Sequence, residues 1–424
     1  MERKIGKLCW LTALMSCMSV WGSAQDTLRI TLQEAETQFL QHNFLLLAAK
    51  YQVSVADAAI MQAKLYPNPN FYIDQGMYNP ETKKWFDLSS TGQTELALQQ
   101  VIILAGKRNK QVDLARINSQ ISGYQFYDLI RTLRYQLRSS FYSLHFLQEP
   151  VGIYDKEIES LRTLIDVYNV QYKKGNIAFK ELARLQALQF SLQNERLDVV
   201  KEINENRSNL ALLIGDTLSR PIIPVVDQQY INGLDVGAIN YAELVDSALI
   251  NRYDLKAAQS QVHLSEANLR LQKALRVPDL TLGTSYDKAG SYVHDYNSLS
   301  AAIDLPFWNR NQGNIKAAQF QINANQQLQS QVELQVRNDI DKAYKRLVES
   351  DRLFKGASIE FTGDYENLLD GILRAYQNHT ISLLEFIDYY EAYKDSKLQF
   401  NRLQSERMDA LENLNLSTGA NILK

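Results

Sequence analysis

The sequence predicts a mostly α-helical, internally duplicated chain of long α-hairpins with a small β part of four strands. Three observations predict it. Two halves of the chain align with each other, each half carries a helical tract too long for a compact domain, and each carries a pair of short segments in which apolar and polar residues alternate.

The duplication is clearest between residues 32–71 and 241–280, where an offset of 209 gives ten identities in forty ungapped positions. Glu34 falls on Glu243, Leu46 on Leu255, Gln52-Val53 on Gln261-Val262 and Pro69 on Pro278. Towards the C-terminus the offset is 204. There Asp166, Tyr172, Ile177 and Glu181 meet Asp370, Tyr376, Ile381 and Glu385, and Asn209-Leu210 with Gly215 meets Asn413-Leu414 with Gly419. Each half is a large mixed unit rather than a solenoid repeat. The division read from this is a first repeat over 25–215, a linker over 216–240 and a second repeat over 241–424.

The first 24 residues read as a cleaved secretory signal. Arg3, Lys4 and Lys7 precede an apolar run, Leu8 to Val20, that is too short to span a bilayer and ends in Gly22-Ser23-Ala24. The alternative, a lipoprotein signal at Cys17, is poorly served by Leu14-Met15-Ser16 before it. Both cysteines, Cys9 and Cys17, lie in this segment, so the chain after it has no disulfide, no cysteine nucleophile and no thiolate metal site. Its removal takes the formal net charge from −3 to −5, which argues against a nucleic-acid partner. No later stretch reaches 18 consecutive apolar residues, so the chain is expected to enter a membrane only as strands.

Within the first repeat, residues 31–66 lack Gly and Pro and read as one helix ending before Pro67-Asn68-Pro69. Residues 70–78 and 93–103 read as strands, with Leu96 and Leu98 alternating with Glu95, Ala97 and Gln99. The second repeat is clearer. Leu280, Leu282, Thr284 and Tyr286 alternate with Thr281, Gly283, Ser285 and Asp287, and Leu299, Ala301, Ile303 and Leu305 with Ser300, Ala302 and Asp304. The loops carry Tyr78, Trp85 and Phe86, then Tyr292 and Tyr296. An apolar face, a polar face and aromatic ends are the writing of a transmembrane β-barrel, though soluble hairpins packed on helices satisfy each segment alone.

Long tracts rich in Gln, Leu, Arg, Asn and Ala follow, from Gly106 to Tyr172 and from Gly313 to Tyr376. At 1.5 Å per residue each would reach roughly 100 Å, with a kink or break expected at Pro150 and Gly152 and a milder one at Gly356. A mean hydropathy of −0.30 leaves much of each helix facing water, as in a coiled-coil rod or a tube. Turns at Lys173-Lys174-Gly175-Asn176 and Gln377-Asn378-His379-Thr380 lead into returning helices over 178–214 and 381–417. Four strands cannot close a membrane barrel, and an open sheet in lipid leaves unpaired edges, so chains must share one. Two chains give eight strands, too narrow for passage; three give twelve, with room for a channel.

Enzymatic readings find no support. The sequence has no glycine-rich phosphate loop after a strand, no His-Glu-x-x-His and no nucleophile elbow. Its five histidines, His42, His145, His263, His294 and His379, show no ligand spacing, and no cofactor is implied.

The chain resembles the TolC-like outer-membrane efflux proteins from Leu32 to Gly419. The resemblance rests on the duplication, on Tyr66-Pro67-Asn68-Pro69, on Gly106-Lys107-Arg108, on Leu305-Pro306-Phe307, and on the Tyr-x-x-Gly-x-Ile turn from Tyr172 to Ile177 with its counterpart from Tyr376 to Ile381. It implies a homotrimer with a twelve-stranded outer-membrane β-barrel and a periplasmic α-helical barrel. It also implies docking to a periplasmic adaptor (a membrane fusion protein) and an inner-membrane pump. By the same resemblance the adaptor meets Lys173, Lys174, Gly175, Asn176 and Ile177 at one tip, and Asn378, His379, Thr380 and Ile381 at the other. His379 stands where the motif usually has Gly. Glu385 and Asp388 match the acidic inner constriction, six carboxylates per trimer that would favour cations. Glu181 matches a residue bonded to the equivalent of Tyr376, a link that holds the tip closed. On its own, the spacing of Glu385 and Asp388 equally fits solvated residues of a first helical turn. Gly106-Lys107-Arg108 looks most like the CzcC-like heavy-metal branch, with drug, dye or peptide export as alternatives. A periplasmic coiled-coil scaffold without a barrel is the competing reading from a different class.

Overall fold

A computed structural model describes residues 27–218, 220–289, 293–360, 365–378 and 380–422. The expected secretory signal, His379 and Tyr292 lie outside the described residues. Strand β1 (Leu28–Thr31) leads into helix α1 (Leu32–His42) through a capping box: the Glu34 amide donates to Thr31 Oγ1 at 3.3 Å and the Thr31 amide to Glu34 Oε2 at 2.9 Å.

The segment expected as one helix is two. Asn43 leaves the helix at φ −67°, ψ 117°, and α2 (Phe44–Ala63) starts afresh. A buried amide can both accept and donate. Asn43 Oδ1 accepts from the Leu46 amide at 3.0 Å and caps α2, while Nδ2 donates to the Leu213 carbonyl at 2.9 Å. Phe44–Ala63 reaches a mean hydropathy of 1.4 over an 18-residue window, of which 6% is buried. It does so through Leu, Val and Ala rather than an unbroken apolar run, and it keeps Lys50 and Asp57.

Strand β2 (Asn70–Gln75) follows, then the small pair β3 (Tyr78–Asn79) and β4 (Lys84–Trp85), then β5 (Thr94–Ile102). Helix α3 (Lys107–Phe146) opens after Gly106 at φ 65°. Here Lys107 is buried and its Nζ meets Asp279 Oδ1 at 2.7 Å, while the Arg108 guanidinium lies 4.0 Å over the Tyr66 ring. These two residues tie the long helix to both halves of the sheet. Helix α3 gives way to α4 (Gln148–Lys173) at Leu147, because Pro150 has no N–H to offer the carbonyl of Phe146. Helix α5 (Phe179–Ile214) returns and ends on Gly215 at φ 71°, where a Cβ would stand 2.7 Å from the His42 carbonyl oxygen.

Between the halves, β6 (Ile222–Val225) pairs in parallel with β1, followed by α6 (Gln228–Asn232) and a single 3₁₀ turn (Val236–Ala238). The plan then recurs with α7 (Tyr241–Asn251), α8 (Tyr253–Ala274), β7 (Leu280–Asp287), β8 (Tyr296–Ile303), α9 (Gln312–Glu360), α10 (Tyr365–Gln377) and α11 (Leu383–Thr418). Helix α9 runs straight through Gly356. The break between α7 and α8 falls at Arg252, the counterpart of Asn43, and Arg252 Nη1 donates to the carbonyl of Ser417, the counterpart of Leu213, at 3.2 Å.

Four strands form one antiparallel sheet in the order β2-β5-β7-β8, so β5 of the first half pairs with β7 of the second, and β2 and β8 are free edges. Two apolar cores serve the helices. One lies at mid-chain level and gathers Phe39, Leu137, Phe141, Leu210, Ile222, Leu347 and Leu411 among others. The other lies between the two hairpins below it, with Leu161, Leu185, Leu192, Tyr376, Phe386 and Tyr390 at its centre.

Candidate functional site

The register of the sheet decides what each face can do. Residues opposite one another across antiparallel strands share a face. One face therefore carries Phe71, Ile73, Leu96, Leu98, Ile102, Leu280, Leu282, Tyr286, Leu299 and Ile303. Several of these are open to the surroundings, with Phe71 62% and Leu299 90% exposed. Aromatic side chains stand at both ends: Tyr78 and Trp85, 5.3 Å apart, at the loop end, and exposed Tyr66, Phe307 and Trp308 at the helix end. An apolar band between aromatic rims is suited to lipid.

The opposite face is polar, and it contains a feature that the sequence did not disclose. Asp74 pairs with Glu95, and Glu95 with Asp287, so three carboxylates lie side by side on three adjacent strands near the loop end. Like charges in direct opposition destabilise a sheet, so this row marks a site where local negative potential outweighs pairing. Among the described residues no three His, Cys, Asp or Glu side chains are gathered to hold a metal ion.

At the far end of the molecule the two reversals share one construction. In the first, the Gly175 amide donates to the Tyr172 carbonyl at 2.9 Å and the Asn176 amide to the Gln171 carbonyl at 3.0 Å, with Gly175 at φ 75°. In the second, the Asn378 amide donates to the Arg374 carbonyl and the Thr380 amide to the Ala375 carbonyl, both at 2.9 Å. The bonds from Asn176 and Thr380 close the last turn in the Schellman manner and stand at equivalent positions of the two halves. Lys173, Lys174, Asn176, Asn378 and Thr380 are exposed; Ile177 and Ile381 are half-buried, and Ile381 packs on the lower core.

Glu385 is exposed in the first turn of α11 and closes a second capping box: the Ser382 amide donates to Glu385 Oε2 at 2.8 Å, and the Glu385 amide to Ser382 Oγ at 3.3 Å. The bonds from Ser382, the backbone one above all, hold its carboxyl below the usual carboxylate range. Asp388, one turn on, is exposed. Glu181 is half-buried, and Tyr376 is buried with its ring 4.6 Å from Phe386, which in turn lies 5.5 Å from Tyr390. Within the chain the Tyr376 hydroxyl meets that of Tyr168 rather than the Glu181 carboxylate. Burial, then the bond to Tyr168, pushes the Tyr376 phenol up, with Glu181 close enough to add to the effect.

Besides the apolar core between them, the two hairpins meet along this seam through Tyr168 with Tyr376, Lys394 Nζ with Glu195 Oε2 at 2.8 Å, and Asn401 Nδ2 with Glu149 Oε2 at 2.8 Å.

Three comparisons bear on this geometry. The sequence model of one family, described as outer membrane efflux protein, matches residues 36–216 and 244–420. The cobalt-zinc-cadmium resistance protein CzcC of Cupriavidus metallidurans is 22% identical over 290 residues, 68% of this chain and 66% of that one. The pyoverdine export outer membrane protein OpmQ of Pseudomonas putida is 22% identical over 308 residues, 68% of this chain and 63% of that one. The matches thus span slightly less than two thirds of these relatives. Among solved structures, the outer membrane channel CmeC of Campylobacter jejuni superposes with a TM-score of 0.77 at 13% identity, covering 92% of this chain and 86% of that one.

Proposed function

Because the chain belongs to the outer membrane efflux protein family, as its resemblance to the TolC-like proteins led us to expect, we propose that it is the trimeric outer-membrane channel of a tripartite efflux system. The observation that carries this reading is the open four-stranded sheet, apolar on one exposed face and joined to helical hairpins. Free edges in lipid cost several kcal/mol per unpaired group, so β8 of one copy pairs with β2 of the next until twelve strands close. The exposed apolar side of α2, with Phe44, Leu45, Tyr51, Val55 and Met61, is then covered by neighbouring copies. The polar sheet face lines the lumen, and the hairpins continue the passage through the periplasm as an α-helical barrel.

The channel is passive and carries no catalytic machinery. An inner-membrane pump supplies the energy, and an adaptor docks on Lys173 to Ile177 and on Asn378 to Ile381. Glu385 and Asp388, with Glu181 and Tyr376 beside them, form the inner constriction. Heavy-metal cations are the proposed cargo. The row Asp74, Glu95 and Asp287 would place nine carboxylates around the barrel, and the similarity to CzcC supports the same class.

Reconstituted protein in planar bilayers under a salt gradient tests this reading. Cation-selective reversal potentials are expected, and the triple variant D74N/E95Q/D287N should lower selectivity without lowering the open probability. A protein that inserts no channel at all would instead support the periplasmic scaffold.

A further inference from the structure

Glu157 on α4 is 1% exposed, and neither of its carboxyl oxygens has a hydrogen-bond partner. Such a group is expensive unless it is neutral or paired. Four charged or titratable neighbours face it from α5 and α11: Glu195, Lys394, Asp395 and Tyr390. The single cation is already engaged, with Lys394 Nζ 2.8 Å from Glu195 Oε2 and 3.5 Å from Asp395 Oδ1. Glu195 also accepts from Tyr154 of α4 and from Ser191 of its own helix, each at 3.2 Å. The Tyr390 hydroxyl is buried and unpartnered as well. Three acids thus share one base, and the one left without a counter-charge is Glu157.

Burial first, and then the Glu195 and Asp395 charges against the opposing pull of Lys394, push the Glu157 carboxyl up to about 8. At the offset of 204 the second half of the sequence carries Phe361. The position is also a joint: α4 and α5 form the first hairpin and α11 belongs to the second, with the lower apolar core packed between them.

We propose that Glu157 is a proton-sensitive latch between the hairpins: as a neutral acid it lets α4 and α11 close, and as a carboxylate it forces them apart and opens the tip. The sign is fixed by the acid. Below its titration the seam is closed; above it the charge must be hydrated, and only separation of the helices admits water. The meaning of an open tip rests on the channel reading, but the motion itself does not.

The test uses spin labels on Lys174→Cys and Asn378→Cys in the detergent-solubilised protein, with inter-label distances measured from pH 6 to pH 9. The chain beyond residue 24 has no other cysteine. A longer-distance population should grow with a midpoint near the titration of Glu157. In Glu157→Gln, of nearly the same shape but unable to ionise, the short distance should persist at every pH. Asp395→Asn, at an exposed position, removes a charge that favours the neutral acid and should move the midpoint to lower pH. A wild-type distance indifferent to pH, or a Glu157→Gln variant that opens as the wild type does, would overturn the latch. Bilayer conductance of the unlabelled protein reports separately on the channel: a tip that moves in a protein that does not conduct removes the channel and keeps the latch.

Discussion

Glu385 shows how one carboxylate can serve two purposes, and how to separate them. Its capping-box bonds stabilise the start of α11, while its charge is proposed to face the lumen. Gln fills the same capping role without the charge. Glu385→Gln with Asp388→Asn should therefore reduce block by divalent cations several-fold in single-channel recordings and leave thermal stability unchanged. Glu385→Ala should lose both. Equal cation block in the wild type and the Gln/Asn variant would remove these residues from the constriction. The capping role is readable in Ser382-x-x-Glu385, a standard helix-start signature. The carboxylate row of Asp74, Glu95 and Asp287 was not readable. Its members come from three strands of two halves, and only the register between β5 and β7 sets them side by side.

At the scale of elements, the breaks in the helices separate what local chemistry dictates from what tertiary contact decides. Pro150 announces the break at Leu147, because the missing N–H is a property of the residue itself. Asn43 offers a local start signal as a favoured N-cap residue, whereas Arg252 announces nothing. Both sit in good helical patterns, and each is pulled out of the helix by a carbonyl at the end of α5 or α11, 170 and 165 residues away. Strand positions were legible from alternation to within a few residues, since the faces differ so sharply; strand order was not. Gly175 was legible as a turn residue, and its positive φ gives the reason. No heavy atom lies within 4 Å of a Cβ placed there, so Gly175→Val acts through backbone strain alone, about 1–3 kcal/mol confined to the tip. Export should fall in a cell-based efflux assay while assembly in the membrane is retained. Normal export by that variant would show that the turn is not a docking surface.

The whole molecule is an incomplete object by physical criteria. A free-standing sheet with two open edges and an exposed apolar face, together with an apolar α2 that is barely covered, leaves large surfaces with no partner inside the chain. The duplicated plan and helical content could be read from repeats and periodicities in the sequence, and the outer-membrane family from its resemblance to the TolC-like proteins. The closure of the object follows from excluding smaller barrels and from what the family resemblance implies. That closure is the central claim, and the mass of the native particle extracted in detergent from purified outer membranes, before and after boiling, tests it most directly. A particle of about three chains that collapses to a single chain on heating is the expected result. A single chain released by salt without detergent would contradict the shared barrel and leave the hairpins as a soluble scaffold.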